Sequence, residues 1–274
     1  MPVKFRESLE GLLPGGDIDC AWYQSDDKGM NKQMSTILTF TDFGAAGPYL
    51  GQLEAAIRRV SGDATVIHLQ SDAPVCDPRS AGYLLAALAN QFHEAVFVCV
   101  VDPGVGGDRR PLVAESQGQW FVGPDNGLFA PLFHQRGNMN LYRILQQPRG
   151  VAQTFHGRDL FASVASKIHK KQYIAMEKIS NLEIGLGWSE DLHEIIYVDH
   201  YGNLFSGLRG LQVERSARIG IAESEISWAP RFDAVSPGEP FWYVNSCGLV
   251  EIAVNGERAD LFFPNYKNQI INVL

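Results

Sequence analysis

The sequence predicts an α/β fold: an N-terminal α/β sheet domain flanked by helices, followed by a smaller C-terminal β-barrel domain. Three observations predict it. Residues 95–101 are an uncharged apolar run, typical of a strand buried on both faces. Strand and helix patterns alternate before this run, and helical periodicity disappears from Ile195 onward. We therefore expect an α/β domain at residues 34–180, a β-barrel at 190–274, and an extension of unknown role at 1–33.

The N-terminal half has the pattern of a β–α–β–α–β unit, for which a parallel sheet with right-handed crossovers is expected. A proline or a capping residue opens each helix, and apolar residues then follow at helical spacing. The predicted elements are a strand at Ser35–Thr41, a helix from Pro48 to Gly62, a strand at Ala64–Leu69, a helix opened by Asp77-Pro78, and the buried strand.

Beyond Arg110 the pattern changes to a hairpin and then to mixed elements. The predicted elements are strands at Pro111–Glu115 and Gln119–Val122, a helix at Leu128–Phe133, a strand at Leu141–Leu145 and a helix at Leu160–Lys170. A less regular stretch over Met176–Glu190 marks the domain boundary. The expected barrel strands are Ile195–Val198, Leu204–Leu208, Arg218–Ile221, Phe241–Val244, Leu249–Val254 and Leu261–Phe263.

Composition excludes several classes of function. The net charge of −8 argues against a nucleic-acid-binding protein, which needs a basic face. No apolar run approaches the roughly 20 residues of a membrane span, so no membrane partner is expected. The four cysteines are dispersed with no zinc-site spacing, so we expect no metal and a reducing cytoplasm. Glycine-rich dinucleotide and P-loop motifs and a nucleophile elbow are also absent from the sequence.

Four polar clusters lie at strand ends or in loops: Asp42-Phe43-Gly44, Asp102 to Arg109, His156-Gly157-Arg158-Asp159, and Asp199 to Asn203. Asp102, Arg109 and His156 offer an acceptor, a fixed cation and a titratable imidazole, a set that can orient a water molecule and handle its proton. Asp42 is suited to accept from ribose hydroxyls. The alternatives are local: Asp42 and Asp102 as turn residues, His156 as a structural histidine, and the fourth cluster as a hairpin turn.

Taken in this order, the clusters resemble the S-adenosylmethionine (SAM) hydroxide adenosyltransferases, also called adenosine-forming SAM hydrolases and related to the SAM-dependent fluorinase and chlorinase. The resemblance covers about residues 35–264. Its motifs are Thr41-Asp42-Phe43-Gly44, Gly47-Pro48-Tyr49-Leu50-Gly51, Val101-Asp102-Pro103-Gly104-Val105-Gly106, Arg109-Arg110, Pro124-Asp125-Asn126-Gly127, Thr154-Phe155-His156-Gly157-Arg158-Asp159, Asp199 with Tyr201-Gly202-Asn203, Asn245-Ser246 with Gly248, and Glu251-Ile252-Ala253-Val254-Asn255.

The resemblance implies a homotrimer with sites between neighbouring subunits, SAM as substrate, and no cofactor. The family's catalytic triad falls on Asp102, Arg109 and His156. The substrate-binding positions implied are Asp42 for ribose, Phe155 and Gly157 beside the reacting centre, Asp199 for the methionine amino group, Tyr201, Asn203, Val254 and Gly256 for adenine, and Ser246 for the methionine carboxylate.

Two departures from the family pattern bear on function. After the second strand the family usually shows Asp-x-Thr-His, whereas this chain has His68-Leu69-Gln70-Ser71, so this side of the site is open to change. The halide enzymes carry serine at the position of Gly157 and lack the full triad. The sequence therefore predicts hydrolysis of SAM to adenosine and L-methionine by attack of water at ribose C5′. The alternatives are a halide adenosyltransferase and a non-catalytic SAM or adenosine sensor.

Overall fold

The structure is a computed structural model that describes residues 36–145, 150–267 and 269–274. The expected extension at residues 1–33 lies outside the described residues. The strands are β1 Thr36–Thr41, β2 Thr65–Gln70, β3 Val96–Val100, β4 Pro111–Ser116, β5 Gln119–Pro124, β6 Asn140–Ile144, β7 Met176–Ile179, β8 Leu192–Val198, β9 Leu204–Arg209, β10 Ile219–Ile221, β11 Ser224–Ile226, β12 Pro240–Val244, β13 Leu249–Val254 and β14 Ile271–Val273. The α-helices are α1 Tyr49–Val60, α2 Pro78–Ala89, α3 Ala130–Arg136, α4 Ala162–His169 and α5 Ala259–Phe262.

The N-terminal half is built on a sheet whose described strands have the order β2-β1-β3-β5-β4-β6-β7. β2, β1, β3 and β5 run parallel to one another, and the pairs β5–β4, β4–β6 and β6–β7 are antiparallel. The predicted α/β class is confirmed. β7, however, lies at the start of the stretch interpreted from sequence as an irregular boundary, and it pairs with β6 through Ile144 and Met176.

The large sheet has two covered faces, and this arrangement decides where the polar clusters lie. On one face, α1 and α4 enclose a core that includes Val98, Val100 and Phe161. On the other face, α2 and α3 pack together with residues of the C-terminal half, among them Leu192 and Leu249. The N-terminal cap of α2 is Asp77, whose side chain accepts a hydrogen bond from the backbone N–H of Ser80 at 3.1 Å.

The C-terminal half is a smaller, antiparallel unit. It contains a four-stranded sheet in the order β12-β13-β9-β8 and a three-stranded sheet in the order β11-β10-β14, with an apolar core shared by both. Its strand-rich class is confirmed, but the strand expected at Leu261–Phe263 is wrong, because these residues overlap the short helix α5. Ala259 and Phe263 are buried whereas Leu261 between them is 74% exposed, which fits the period of a helix and not that of a strand.

No helix within the described ranges is long and apolar enough to cross a membrane. Cys99 lies fully buried in β3, as expected for a small apolar residue, and burial raises the pKa of its thiol well above the ordinary value.

Candidate active site

Asp42 and Asp102 follow two neighbouring parallel strands at the same edge of the sheet. β1 and β3 are paired with Thr41 opposite Val100, so the residues that follow them are neighbours. The negative charge of Asp102 contributes to raising the pKa of Asp42, although burial is the largest cause of that rise. The carboxyl ends of parallel strands are where open α/β sheets form their ligand crevices, so the position favours a site.

Asp102, Arg109 and His156 converge, although 54 residues of sequence separate the first from the last. Arg109 Nε lies 3.1 and 3.0 Å from the two carboxylate oxygens of Asp102, and Arg109 Nη2 lies 2.5 Å from Oδ2. The same Nη2 atom lies 2.9 Å from His156 Nδ1. The side chains of Asp102 and Arg109 are 3% and 9% exposed, so this ion pair is largely shielded from water. Arg109 also lies over the ring of Phe161 at 5.5 Å.

The charge state of His156 follows from these neighbours. Burial lowers the pKa of His156, the positive charge of Arg109 lowers it further, and Asp102 and Asp159 act in the opposite direction. The imidazole is therefore neutral at pH 7. Because Arg109 has only donors, His156 Nδ1 must be the acceptor, and the ring proton lies on Nε2. The cluster thus presents a neutral N–H donor beside an arginine whose charge is balanced by Asp102.

A π-helical turn at Gly157–Phe161 follows His156 directly and precedes α4, where the sequence predicted an α-helix from Leu160. Single π turns inside helices are frequent at functional sites. Asp159 holds this turn: it accepts from the backbone N–H of Ala152 at 2.9 Å and pairs with Arg158. Arg158 in turn donates to Gln52 Oε1 of α1 at 2.9 Å, which anchors the turn to the helix beside it.

Three aromatic rings lie beside the cluster. Phe43, Tyr49 and Phe155 have pairwise ring-centroid distances of 5.6 to 5.8 Å. Gly157 packs under this group, because a Cβ atom there would lie 3.3 Å from Phe43 and 3.4 Å from Val100. Tyr49 remains 50% exposed, so one side of the aromatic group is open. These rings form an apolar wall beside the turn that begins at His156.

The segment that departs from the family pattern contacts the Asp42 turn through its backbone. The carbonyl oxygen of Ser71 accepts from the N–H of Gly44 at 2.6 Å. The side chain of Gln70 donates to Asp72 Oδ1 at 2.8 Å, and Asp72 also accepts from the hydroxyl of Tyr197. Gln70 therefore belongs to the contact between the two halves of the chain and does not join the Asp102 cluster.

The C-terminal half carries a separate cavity of about 740 Å³. Every residue that lines it falls within 199–258, and the lining includes all six candidate positions of this half: Asp199, Tyr201, Asn203, Ser246, Val254 and Gly256. Tyr201 is 74% exposed at its mouth. Its size is within the usual range for a small-molecule site.

The apolar cores that support the two groups of candidate residues cover opposite faces of the large sheet. Phe161, which lies under Arg109, and Phe43, which packs on Gly157, belong to the core under α1 and α4. The four-stranded sheet that forms the cavity packs on the α2 and α3 face, through residues such as Leu249. One chain therefore brings the candidates together in two sets and does not join the sets.

Several residues of these sites were given no role in the sequence analysis, although Asn126 and Glu251 stand in its motifs. Asn126 donates to the carbonyl oxygen of Val101 at 2.9 Å and so fixes the backbone next to Asp102. The backbone N–H of Cys76 donates to Asp42 at 2.9 Å, from a residue with φ of +55°. Glu251 could have been singled out from the sequence, because a carboxyl group is unusual in an otherwise apolar strand, and it lines the cavity. Cys76 carried no such signal, since its contact is made by the backbone.

Comparison with known proteins bears on what these sites are for. The sequence matches the family model described as the SAM hydroxide adenosyltransferase N-terminal domain over residues 37–179, and that of the C-terminal domain over residues 193–264. The chain belongs to the SAM hydroxide adenosyltransferase family. The two matched ranges correspond to the large-sheet half and to most of the antiparallel half.

Relatives in this family are similar over most of the chain. A protein of Salinispora arenicola named (R)-S-adenosyl-L-methionine hydrolase is 32% identical over 234 residues, covering 80% of this chain and 90% of its own. A Thermus thermophilus protein of the same name is 30% identical, covering 81% and 92%. The crystal structure of an uncharacterized conserved protein from Thermotoga maritima aligns with a TM-score of 0.78 at 26% identity, covering 87% of this chain and all of that one.

Within the part of the chain that the structure describes, no group of three or more His, Cys, Asp or Glu side chains is arranged to hold a metal ion. The expectation that no cofactor takes part stays a prediction.

Proposed function

We propose that this protein hydrolyses S-adenosyl-L-methionine to adenosine and L-methionine, with water attacking ribose C5′. The observation that carries the proposal is the shielded contact of Asp102, Arg109 and neutral His156 beside an apolar aromatic wall. Such a set orients a single water molecule without placing a net charge of its own there. The family membership and the names of the relatives support the same reaction class.

The reaction forms one C5′–O bond and breaks the C5′–S bond. The sulfur takes the bonding electron pair and leaves as a neutral thioether, so no acid is needed at the leaving group. His156 Nε2–H donates to the oxygen of the attacking water, and Arg109 stabilises the hydroxide character that develops on it. Asp102 keeps the guanidinium in place, and the proton of the water passes to solvent as adenosine forms. Holding the water in line contributes several kcal/mol, up to roughly 7–11 kcal/mol.

The remaining N-terminal candidates bind the ribose side of the substrate. Asp42, held by the Cys76 N–H, accepts from the ribose hydroxyls. Phe155, with Phe43 and Tyr49, excludes bulk water from the reacting carbon, which strengthens the electrostatic effects of Arg109.

The C-terminal cavity binds the two ends of the substrate. Tyr201, Asn203, Val254 and Gly256 contact adenine, whereas Asp199 receives the methionine amino group and Ser246 its carboxylate. Since no residue of the Asp102 cluster lines the cavity in one chain, the complete site forms between neighbouring subunits of a homotrimer. The exposed rings of Tyr49 and Tyr201 are the surfaces that this contact covers.

Two alternatives are less favoured by the geometry. A halide adenosyltransferase needs a donor where this chain has Gly157, and the contacts of that position with Phe43 and Val100 leave little room for a side chain. A non-catalytic sensor has no need for a buried arginine that bridges a carboxylate and an imidazole, since even a paired buried charge costs desolvation free energy.

The deciding experiment is product analysis in water enriched in oxygen-18. The relatives are named for (R)-S-adenosyl-L-methionine. Because L already fixes the α-carbon, (R) describes the sulfonium sulfur. The two sulfonium epimers of SAM are therefore supplied in separate reactions. Chromatography and mass spectrometry should find adenosine with the heavy oxygen at its 5′ position and unlabelled methionine. Parallel reactions with chloride or fluoride should give no 5′-halogenated nucleoside. Intact SAM after long incubation would refute hydrolysis and favour the sensor.

Mixing subunits tests the shared site. His156→Ala and Asn203→Ala proteins, each inactive, are dissociated and reassembled together. A site that takes residues from two chains predicts recovery of part of the activity in the mixture. If both residues act at one site within a single chain, the mixture should recover no activity.

A further inference from the structure

The residues that follow β5 contact the two chain segments that carry Asp102 and Arg109. In the large sheet β5 lies between β3 and β4 and pairs with both of them. Asp102 comes just beyond the end of β3, and Arg109 just before the start of β4. The two members of the ion pair therefore belong to strands that are not neighbours, and the end of β5 lies between those strands.

The loop that joins Asp102 to Arg109 does not by itself fix the positions of these two residues. Its six residues, 103–108, include three glycines, and all of them except Val105 are exposed. The hydrogen bond from the N–H of Val105 to the carbonyl oxygen of Asp102 lies within the loop and moves with it. Because glycine adds backbone freedom, the placement of the ion pair must be set by contacts outside the loop.

The Arg109 end is fixed by backbone contacts of the sheet. The N–H of Asp125, directly after β5, donates to the carbonyl oxygen of Arg110 at 2.9 Å. This bond continues the antiparallel pairing of β5 with β4, in which Pro124 lies opposite Pro111. Since any residue except proline supplies a backbone N–H, this end needs no particular side chain.

The Asp102 end depends on a side chain. Val101 lies beyond the last residue of β3, and its carbonyl oxygen accepts from Asn126 Nδ2 at 2.9 Å. That oxygen belongs to the same planar peptide unit as the N and Cα atoms of Asp102, so holding it fixes the plane from which the Asp102 side chain extends. The buried side chain of Val101 anchors its own Cα atom but not the rotation of this plane. Asn126 Oδ1 accepts from the N–H of Leu128 at 3.3 Å, which holds the amide itself.

We propose that Asn126 is a positioning residue, which orients the Val101–Asp102 peptide so that the ion pair of Asp102 and Arg109 meets His156. The proposal rests on the proposed function for its effect on turnover. Both ends of the Asn126 amide are used within the chain, so the residue acts through Asp102 and not on the substrate. Arg109 Nη2 contacts Asp102 and His156 at the same time, so a turn of the peptide that carries Asp102 displaces Arg109 from the imidazole.

Two substitutions test this role. Asn126→Ala removes both contacts of the amide. Asn126→Ser keeps an oxygen that can accept from the N–H of Leu128, but its side chain is too short to reach Val101, and it serves as the test if Asn126→Ala fails to fold. In both variants kcat for adenosine release should fall about 10- to 100-fold, because small displacements of catalytic groups are costly. KM for SAM should stay within about twofold, since other residues contact the substrate.

The titration of His156 gives a readout that does not depend on turnover. Burial is the largest cause of its lowered pKa, Arg109 lowers the pKa further, and Asp102 and Asp159 raise it. Arg109 acts more strongly than Asp102, so displacing the ion pair should let His156 take up its proton at a higher pH in both variants. NMR of protein with carbon-13-labelled histidine rings measures the midpoint, and the His156 signal is identified by its loss in His156→Ala.

Gln119→Ala is the matched control. Gln119 begins β5 at the end opposite to Asn126 and is only 3% exposed. Its Nε2 donates to the carbonyl oxygens of Ala89 and Phe92 at 2.8 and 2.6 Å, so the substitution also removes a buried amide that holds neighbouring backbone. It should lower the midpoint temperature of unfolding, as Asn126→Ala does, and leave kcat and the His156 midpoint unchanged.

A folded Asn126 variant with wild-type kcat and an unchanged His156 midpoint would overturn the proposal, and so would an equal fall in kcat in Gln119→Ala. Failure of the proposed function gives a different result. If the wild-type protein releases no adenosine from SAM but the His156 midpoint still rises in Asn126→Ser, the positioning contact stands and hydrolysis does not.

Discussion

Replacing Arg109 with lysine separates the charge of this residue from its geometry. The guanidinium uses Nε and Nη2 on the carboxylate of Asp102 and extends Nη2 to His156 as well. A lysine ammonium keeps the positive charge but cannot span both partners from the same position. The change removes about one charge-assisted hydrogen bond to Asp102 and the link to His156. At 1.5–3 kcal/mol for each of these two bonds, we expect a loss of about 3 to 6 kcal/mol in the free energy of unfolding.

The adjacent Arg110 offers a matched control. It pairs with Asp125 through Nε at 3.0 Å and Nη2 at 2.5 Å, and Asp125 is only 1% exposed. Arg110→Lys therefore removes a similar two-point contact with a buried carboxylate. The midpoint temperature of thermal unfolding should fall in both variants, by roughly 2 to 4 °C for each kcal/mol lost in a chain of this size.

Turnover should distinguish the two arginines. Adenosine release, followed by chromatography under saturating SAM, should fall about 100-fold or more in Arg109→Lys, because a preorganised donor at the attacking water is lost. Arg110→Lys should retain activity at a temperature where it is folded. Equal activity in the two lysine variants would refute the idea that the forked geometry of Arg109 takes part in the reaction.

Three further predictions concern single contacts at the same site. Asp42→Asn should raise KM about tenfold and change kcat little, because its contacts are to ribose hydroxyls; steady-state kinetics with an unchanged KM would contradict this. Gly157→Ser should lower turnover about tenfold through crowding against Phe43. It should give no halogenated product with chloride. A chlorinated nucleoside would contradict the inference that this position has no room for a serine donor. The pH dependence of kcat/KM should be level down to about pH 6.5 and fall below it. The pKa of His156 is lowered from 6.5 in the folded protein, so the imidazole takes up a proton only below that pH. The stability that neutral His156 contributes is lost as the pH falls through the same range. A decrease in kcat/KM already at pH 7.5 would exclude His156 as the titrating group.

The fold class followed from patterns that the chain satisfies locally. The apolar run at 95–101 became the central strand β3, and the helix opened by Asp77-Pro78 became α2 with Asp77 as its cap. The errors fall where tertiary contacts decide. β7 is four residues long and is a strand through its pairing with β6, and Phe263 is buried through the packing of the C-terminal core. Neither contact has a local sequence signal.

The site was predictable in part for a similar reason. Ordered motifs identified Asp102, Arg109 and His156, yet no spacing in the sequence says that one nitrogen of Arg109 would contact both partners. The proton position on His156 depends on that contact. The Cys76 N–H at Asp42 could not be foreseen, since any residue but proline supplies it. Residue types at a site are thus readable from sequence, whereas its hydrogen-bond directions need the fold.

The balance of charge in the cluster explains why a neutral histidine suits a sulfonium substrate. Asp102 cancels the charge of Arg109, so the approaching cation meets a site without net positive charge. As the water attacks, the negative charge that develops on its oxygen and the positive charge of the sulfonium neutralise each other. A poorly hydrated site favours a step in which opposite charges are neutralised. A protonated His156 would add a second cation beside the sulfonium and oppose both binding and attack. The shielding that lowers the pKa of His156 and the shielding that promotes the displacement are therefore one feature of the fold.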